Sequence, residues 1–337
     1  MLLKPFLRLL RRGRLKTLIT VGAGLKPFYQ LTWLAAAGEA GILNRLAAGP
    51  APLDAFSEFA AAGGQSSEAL GAWLQMGIRL RLLSLGVRGY ELRGLAKALA
   101  QPENDSVLAL TEEVAGLHHK LIAATLPKLR SGELWTLADQ DGELIARSSR
   151  IFEPFQAEIM RRTFPAEGPL RLLEIGCGSG VYLRYAAARN ARLTALGLEL
   201  QPAVAEVART NLNTWGLQDR VTIEDGDIRA KAAHESFDIA TLYNNIYYFP
   251  VEERVALLQH VAGFLRPGGF LLLTTCCQGG SLGAEALNLW AAATRGAGRL
   301  PHQDELVNQL RQAGYSTVRT TNLLPGDRFM SFQAFRS

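Results

Sequence analysis

The sequence predicts an α/β protein: a doubly wound, mostly parallel sheet of seven strands, preceded by a mainly α-helical domain. From residue 170, apolar runs of strand length such as "LRLLEIG" and "FDIATLYNN" alternate with helical stretches, which is the rhythm of βαβ units. Between residues 25 and 100, three helical stretches precede an alternating pattern around Gly86 and Gly89. Three helices followed by a small β-wing indicate a winged helix-turn-helix.

These patterns suggest four segments along the 337 residues. Residues 1–24 are a basic amphipathic segment, and residues 25–103 form the winged-helix domain. Residues 104–165 form a helical connector. Residues 166–337 form the sheet domain.

The three helices before the wing have recognisable ends. "WLAAAGEAGILNRLAAG" ends at Gly49 and Pro50, and "PLDAFSEFAAAGG" ends at a glycine pair. "SSEALGAWLQMGIRLRLLSLG" has Ser66 or Ser67 as its expected N-cap.

The net charge of +5 is partly local, because the first sixteen residues hold six basic residues and no acid. A nearly neutral remainder argues against a broad nucleic-acid footprint. The start of the chain can form a short helix with Leu3, Phe6, Leu7 and Leu10 on its apolar face and Lys4, Arg8, Arg11 and Arg12 on its basic face. This helix either contacts an anionic membrane surface or packs against protein or a second subunit. The second interpretation is favoured because Gly13 limits the helix to a few turns.

Three cysteines, Cys177, Cys276 and Cys277, do not form a disulfide framework, which indicates a reducing, cytoplasmic setting. No stretch is long and apolar enough to span a bilayer, and the start lacks a signal-peptide cleavage site. The adjacent Cys276 and Cys277 are expected to be small strand residues, and no metal site is predicted.

"LLEIGCGSGVYL" carries the strongest functional signal. A buried strand containing Glu174 leads into Gly176, Gly178 and Gly180, and a helix follows. Glycines there let the backbone approach a ligand closely and leave the helix N-terminus facing it. The G-x-G-x-G spacing differs from the G-x-G-x-x-G of dinucleotide binders.

Two further acids stand at the ends of the next strands. Glu199 ends "LGLEL", about twenty residues after the glycines, where an acid can accept from ribose hydroxyls. Asp227 follows the third strand, in "EDGDI". Since ligands of open parallel sheets bind at the carboxyl edge, these acids and the glycines predict one binding site.

With these motifs, residues 170–277 resemble class I S-adenosylmethionine-dependent methyltransferases, whose sheet is Rossmann-like. "EIGCGSG" looks like their glycine motif and "LRPGGFLLL" like their loop before the fifth strand. The segment from "AAAGEAGILNRLA" to "YELRGLAKALA" is similar to the winged-helix domain of small-molecule O-methyltransferases, which implies a homodimer.

The resemblance implies the residues around the cofactor S-adenosylmethionine: Glu174, Gly176, Gly178, Gly180, Glu199, Leu200, Asp227, Ile228 and Asn244. Glu174 and the glycines surround its methionine part, and Glu199 holds its ribose. Leu200 and Ile228 lie against the adenine, Asp227 accepts from the adenine amino group, and Asn244 lies near the methyl group.

The segment "LYNNIYYFP" departs from this resemblance. The relatives usually have a His-Asp pair where this chain has Tyr247 and Tyr248, and a tyrosine with a pKa of about 10 is a poor base. One explanation is that no strong base is needed, and that Tyr247 and Asn245 orient the acceptor for direct in-line transfer.

The other explanation is a base from elsewhere. His118 and His119 lie on a helix that reaches the substrate cavity in the relatives, and His302 begins a late helix. His119 is the preferred catalytic candidate and His118 a substrate-binding one, although surface or capping roles stay open for each. His234 and His260 are expected at the surface.

Phe155 and Trp290 complete the expected substrate site. Trp290 either roofs the cavity or belongs to a helix packed on the sheet. The sequence thus predicts a methyltransferase for a small apolar, aromatic or lipid-like metabolite. A nucleic-acid-modifying enzyme is disfavoured because the third helix is mostly apolar, with Arg79 and Arg81 as its basic residues. A non-catalytic cofactor-binding scaffold is the remaining alternative.

Overall fold

The computed structural model describes residues 14–59 and 64–337. The chain divides into two compact units. The first extends to Lys120 and includes Gln140–Ile151, and the second comprises Leu121–Asp139 and Phe152–Ser337. The predicted amphipathic face formed by Leu3 to Leu10 lies outside the described residues.

The α-helices, in chain order, are α1 Arg14–Glu39, α2 Ile42–Ala47, α3 Gly64–Arg79, α4 Gly94–Leu99, α5 Asp105–Glu113, α6 His119–Ser131, α7 Gly142–Ser149, α8 Glu153–Thr163, α9 Val181–Arg189, α10 Pro202–Thr214, α11 Arg254–Ala262, α12 Leu282–Ala293 and α13 Gln303–Gln312. A π-helical turn, Val114–His118, joins α5 to α6. Short 3₁₀ turns include Leu53–Phe59, Ile228–Ala230 and Ile246–Tyr248.

The first unit corrects three helix predictions. The helix expected to run from Trp33 to Gly49 is broken at Gly41, whose φ of 74° ends α1 and lets α2 begin. The stretch from Leu53 to Phe59 is a 3₁₀ turn instead of an α-helix. Helix α3 is already formed at Gly64, so neither Ser66 nor Ser67 is its N-cap. Helix α1 also runs through the expected segment boundary between residues 24 and 25.

The expected hairpin is present in this unit. Strands β1, Leu83–Gly86, and β2, Gly89–Leu92, pair antiparallel, with Gly86 opposite Gly89. Gly89 has a φ of 113°, a backbone conformation that residues with a side chain rarely adopt, so glycine suits this tight turn.

An ion cluster joins α5 and α7. Arg147 donates to Asp105 at 2.7 Å and to Glu112 at 3.1 Å. The bonds from Arg147 lower the pKa of Asp105, whereas burial raises the pKa of Glu112, which is 4% exposed. Loss of Arg147 would therefore leave a buried carboxyl group without its cation.

The second unit contains the predicted seven-stranded sheet. Its strands are β3 Leu170–Ile175, β4 Leu193–Glu199, β5 Val221–Asp225, β6 Phe237–Tyr243, β7 Leu265–Cys276, β8 Tyr315–Asn322 and β9 Phe329–Arg336. Their order is β5-β4-β3-β6-β7-β9-β8, and β9 alone runs in the opposite direction to the other six strands. The predicted fold class is confirmed.

The sheet is buried on both faces, as the apolar strand sequences require. Helix α8 and helices α9 and α10 cover one face through Ile159, Leu183 and Ala208. Helices α11 and α13 cover the other through Leu258 and Leu306. Because β3, β4 and β6 run parallel to one another, their carboxyl ends meet at one edge of the sheet, where the predicted cofactor residues lie.

No helix formed by the described residues has both the length and the apolar composition that crossing a membrane requires.

Candidate active site

The glycine turn follows β3 as predicted. Gly176, Gly178 and Gly180 have φ angles of 68°, 54° and 80°, in the region that disfavours side chains. A Cβ on Gly176 would lie 2.6 Å from the Asn245 amide nitrogen, so the turn and the segment after β6 approach closely. The turn leaves the N-terminus of α9 at the carboxyl edge of the sheet, where backbone N–H groups favour an anionic or polar ligand.

Two acceptors beside this turn have no partner. Glu174 is 1% exposed, and its Oε2 receives no hydrogen bond. Asn245 donates from Nδ2 to the Ile175 carbonyl at 2.7 Å, but its Oδ1 is buried without a donor. Burial raises the pKa of Glu174 well above its usual range. Such orphaned acceptors fit the ammonium and hydroxyl donors of S-adenosylmethionine.

Glu199, at the end of β4, supports the glycine turn directly. Its Oε2 accepts from the Gly178 N–H at 3.0 Å, and its Oε1 accepts from the Gln201 N–H at 3.1 Å. Each carboxylate oxygen keeps one further acceptor position, which suits a diol. The neighbouring Leu200 is 58% exposed at the same edge, so its side chain is available to a flat ligand.

Asp227 accepts hydrogen bonds from Arg229, a residue that the sequence did not predict at the site. Arg229 donates to it from Nη2 at 2.7 Å and from its backbone N–H at 2.9 Å. These bonds hold the pKa of Asp227 below its usual range. Arg229 also bonds Glu253 at 3.2 Å and lies 5.4 Å from the centre of the Phe249 ring. Arg229 therefore connects the predicted adenine-binding acid to the segment that carries the two tyrosines.

The turn at Ile228 is held from helix α11. Ile228 is buried, and its carbonyl lies 2.9 Å from His260 Nε2. His260 is half-buried and packs edge-on against Phe264, so the expectation that it is a surface residue is wrong. His234 is exposed, as predicted.

The segment after β6 is held in an unusual conformation. Asn244 has a φ of 52°, and its N–H donates to the Thr274 carbonyl at 2.8 Å. A non-glycine residue in this region marks a position that its surroundings fix. The turn brings Ile246–Tyr248 over the end of the sheet as a 3₁₀ segment.

Tyr247 and Tyr248 form an aromatic group with Trp290. The two tyrosine rings have centres 5.0 Å apart, and each meets the Trp290 ring near its edge. Trp290 is 2% exposed, and its Nε1 has no acceptor. The structure therefore has the packed-helix arrangement for Trp290, and a role for it in a substrate site stays a prediction.

This aromatic group belongs to an apolar cluster at the carboxyl end of β7. Phe155 packs against the cluster from α8. The buried members of the cluster are Leu121, Trp135, Tyr247, Cys276, Ala284, Trp290, Ala291, Ala293, Leu300 and Phe329. The surroundings of the tyrosine segment are thus mainly apolar and aromatic, which is the lining that a small apolar ligand requires.

The histidine candidates differ in their settings. In the first unit, His118 Nε2 lies 3.1 Å from a Glu113 carboxylate oxygen, and the exposed His119 ring lies 6.0 Å from that of Phe28. In the second unit, His302 is exposed at the N-cap of α13, and its backbone N–H donates to the Glu305 carboxylate at 3.2 Å. His302 thus has the capping role that the sequence left open.

A buried arginine that the sequence did not predict holds the segment with Tyr247 and Tyr248 through backbone hydrogen bonds. Arg254 is 0% exposed and donates to the carbonyls of Phe249, Gly298 and Arg299 at 3.2, 2.9 and 2.7 Å. Burial lowers its pKa to about 10. Gly298 also donates its N–H to the Tyr247 carbonyl at 3.0 Å. Helical spacing could have placed Arg254 on the buried face of α11, three residues before the buried Leu257.

Cys276 and Cys277 are buried, and burial raises the pKa of each thiol to about 12. Within residues 14–59 and 64–337, no group of three or more His, Cys, Asp or Glu side chains could hold a metal ion. These thiols are therefore inert packing residues at the end of β7.

Comparison with known proteins agrees with this geometry. Residues 173–271 match a family described as a methyltransferase domain. Ubiquinone biosynthesis O-methyltransferase of Xanthomonas euvesicatoria is 30% identical over 105 residues, which are 31% of this chain and 42% of that protein. The chain thus spans less than half the length of this relative.

Solved structures match over nearly the whole chain. Mitomycin 7-O-methyltransferase MmcR has a TM-score of 0.79 at 18% identity, covering 97% of this chain and 100% of that one. Human N-acetylserotonin methyltransferase in complex with SAM has a TM-score of 0.70 at 16% identity, covering 95% and 98%. The chain therefore carries a methyltransferase domain at residues 173–271, and its fold is that of these two methyltransferases.

Replacing Gly298 tests how tightly Arg254 and Gly298 hold the segment that carries Tyr247 and Tyr248. A Cβ there would lie 2.8 Å from the Phe249 carbonyl oxygen, 2.9 Å from Arg254 Nη2 and 2.9 Å from the Val251 nitrogen. Gly298→Ala should lower the free energy of unfolding by about 1–3 kcal/mol, measured from urea denaturation midpoints. Gly283→Ala is the control, because its Cβ meets only Ser281 Oγ at 3.7 Å. Equal midpoints for Gly298→Ala and the wild type would show that the segment is not tightly held.

Proposed function

We propose that the protein is an S-adenosylmethionine-dependent methyltransferase acting on a small apolar, aromatic or lipid-like metabolite. The observation that carries this proposal is the pair of unpartnered buried acceptors, Glu174 Oε2 and Asn245 Oδ1, beside a glycine turn in a methyltransferase domain. When bound, the cofactor supplies a methyl group already activated by a sulfonium centre.

Different residues at the carboxyl edge of the sheet would bind different parts of the cofactor. The glycine turn and Glu174 receive the methionine part, and Glu199 accepts from the ribose hydroxyls. Leu200 and Ile228 border the adenine. Asp227 accepts from the adenine amino group, for which Arg229 must share or release the carboxylate that it now engages.

Near the methyl group, the chain provides position instead of a strong base. Asn244 is fixed at its strained φ of 52°, which carries Asn245 and Tyr247 to the same edge. Placement of two reacting groups in line can lower a barrier by about 7–11 kcal/mol in favourable cases. Tyr247 and Asn245 would then orient the acceptor, and Phe155 and Tyr248 would exclude water from it.

A histidine base is the alternative for an acceptor that must lose a proton. His118 has an observation in its favour, since the nearby Glu113 carboxylate can hold an imidazole in a fixed orientation. His119 has no such carboxylate contact among the interactions described above, and it stays a weaker candidate.

The first unit supports an association role better than nucleic-acid readout. Helix α1 exposes Leu18, Ile19, Val21, Leu25 and Phe28. Exposed apolar side chains concentrated on one helix are typical of a protein interface. We include a homodimer formed through this helix in the proposal.

Transfer of a labelled methyl group tests the proposed activity. The protein is incubated with cell extract and S-adenosylmethionine labelled in its methyl group, and lipid, small-molecule, protein and nucleic-acid fractions are counted. We expect label in the lipid or small-molecule fraction. Label in nucleic acid would contradict the substrate class. Cofactor binding without label in any fraction of several extracts would favour a scaffold.

Tyr247→Phe tests the tyrosine segment once an acceptor is found. Turnover should fall roughly tenfold, because an orienting hydrogen bond is lost, while cofactor affinity should change less than about threefold. Tyr29→Phe, at a partly exposed tyrosine of α1, is the control. Full activity of Tyr247→Phe would remove the hydroxyl of Tyr247 from the mechanism.

A further inference from the structure

A buried tryptophan beside the tyrosine segment has a side-chain donor without a partner. Trp290 of α12 is 2% exposed, and its indole Nε1–H meets no acceptor among the residues that the structure describes. The indole nitrogen is a donor only, so it needs an oxygen or another acceptor to bond to. A buried donor without an acceptor destabilises a protein, and a ligand that accepts from it removes this cost.

The chain satisfies two other buried indoles itself. Trp135, in the same apolar cluster as Trp290, donates from Nε1 to the Thr125 hydroxyl at 3.0 Å. In the first unit, the buried Trp33 donates from Nε1 to the Trp73 carbonyl at 3.1 Å. Trp290 thus differs from both in having no acceptor supplied by the described part of the chain.

The end of α12 that carries Trp290 is held by hydrogen bonds. The Thr294 hydroxyl donates to the Trp290 carbonyl at 2.6 Å. The backbone N–H of Trp135 donates to the Ala293 carbonyl at 2.9 Å, and the Trp135 carbonyl accepts from the Arg295 N–H at 2.8 Å. The indole therefore keeps its place in the cluster, and an acceptor has to come to it.

Aromatic and apolar side chains surround the indole. The ring centres of Tyr247 and Tyr248 lie 6.4 and 5.6 Å from that of Trp290, with interplanar angles of 89° and 70°. The face of an aromatic ring is a weak acceptor at most, so these rings do not replace a hydrogen bond to oxygen. The partly buried side chains that border the cluster include Phe152, Phe155, Tyr248, Leu287 and Leu289. A flat apolar molecule can pack against such side chains.

The kind of group that the donor selects follows from its chemistry. A carbonyl or ether oxygen accepts one hydrogen bond and brings no proton that needs an acceptor in turn, whereas a hydroxyl brings one. A carboxylate would lose its hydration in exchange for one neutral donor, which is unfavourable. A hydrocarbon would leave the donor unpaired. A neutral oxygen on an apolar or aromatic skeleton therefore fits both the donor and its surroundings.

We propose that Trp290 is a specificity-determining residue whose indole N–H donates to a carbonyl or ether oxygen of the substrate that receives the methyl group. The inference rests on the proposed function, because it takes the ligand of this cluster to be the methyl acceptor. It narrows the substrate class to apolar or aromatic molecules that carry such an oxygen. Trp290 then distinguishes molecules that differ by one oxygen atom.

The indole N–H signals in heteronuclear NMR spectra report this bond directly. The five tryptophans give five such signals, and Trp290→Phe identifies that of Trp290 by its loss. With S-adenosylhomocysteine bound, the ketones acetophenone and indanone and their hydrocarbon counterparts ethylbenzene and indane are titrated into the wild type. The ketones should move the Trp290 indole proton downfield, and the hydrocarbons should not. The Trp135 signal should stay in place, because its N–H is already bonded to Thr125.

Affinities from the same titrations test the bond by a second route. Trp290→Phe removes the N–H and changes the shape of the site, but the change of shape affects a ketone and its hydrocarbon alike. The ratio of their affinities should therefore fall roughly 3- to 10-fold in the variant. Trp73→Phe, the same substitution in the first unit, is the control and should leave the ratio unchanged.

Melting temperatures establish that both variants fold. If Trp290→Phe does not fold, single replacement of the other four tryptophans assigns the Trp290 signal by elimination, and the wild-type titration decides. A Trp290 signal that neither ketone moves would overturn the proposal, and so would an unchanged affinity ratio in a folded Trp290→Phe. Failure of the wild type to bind S-adenosylhomocysteine would instead contradict the proposed function, on which the inference rests.

Discussion

Burial of a carboxyl group without a cation is the constraint on which the candidate site depends. Glu174 lies in the centre of the sheet, one residue before the glycine turn, and its Oε2 has no partner. Such a group is stable only when protonated or when a ligand supplies a positive charge. Beside it, the Asn245 Oδ1 atom is also buried without a donor. The local cost is offset by the extensive apolar packing of the two sheet faces.

A second constraint fixes the segment that carries Tyr247 and Tyr248. Arg254 and Gly298 hold it from one side through backbone bonds, and the strained Asn244 holds it at the end of β6. Strain of this kind persists only where surrounding structure over-determines it. The consequence is a rigid, mainly aromatic wall at the edge where the cofactor's methyl group is expected. The proposed in-line transfer without a strong base is consistent with a segment held in this way.

The sequence predicted the features that depend on local pattern. All seven strands, the glycine turn and the placement of Glu199 and Asp227 at strand ends follow from apolar periodicity and from glycine spacing. The break at Gly41 was missed because a single glycine within an apolar helical pattern can be tolerated without ending the helix. The roles of Arg229 and Arg254 were also missed. Each makes a bond that depends on the fold, such as the bond from Arg254 to the Gly298 carbonyl, 44 residues further along the chain.

Proton exchange on cofactor binding tests the central claim about Glu174 most directly. Calorimetry is done in two buffers of different ionisation enthalpy at about pH 6.5, where the ligand's amino group stays protonated because its pKa is about 8. Burial raises the pKa values of the facing Cys177, Tyr182 and Tyr243, so these groups stay protonated throughout. The account predicts that the wild type releases protons on binding and that Glu174→Gln binds more weakly and loses this release. No release by the wild type, or the same release by the variant, would contradict it.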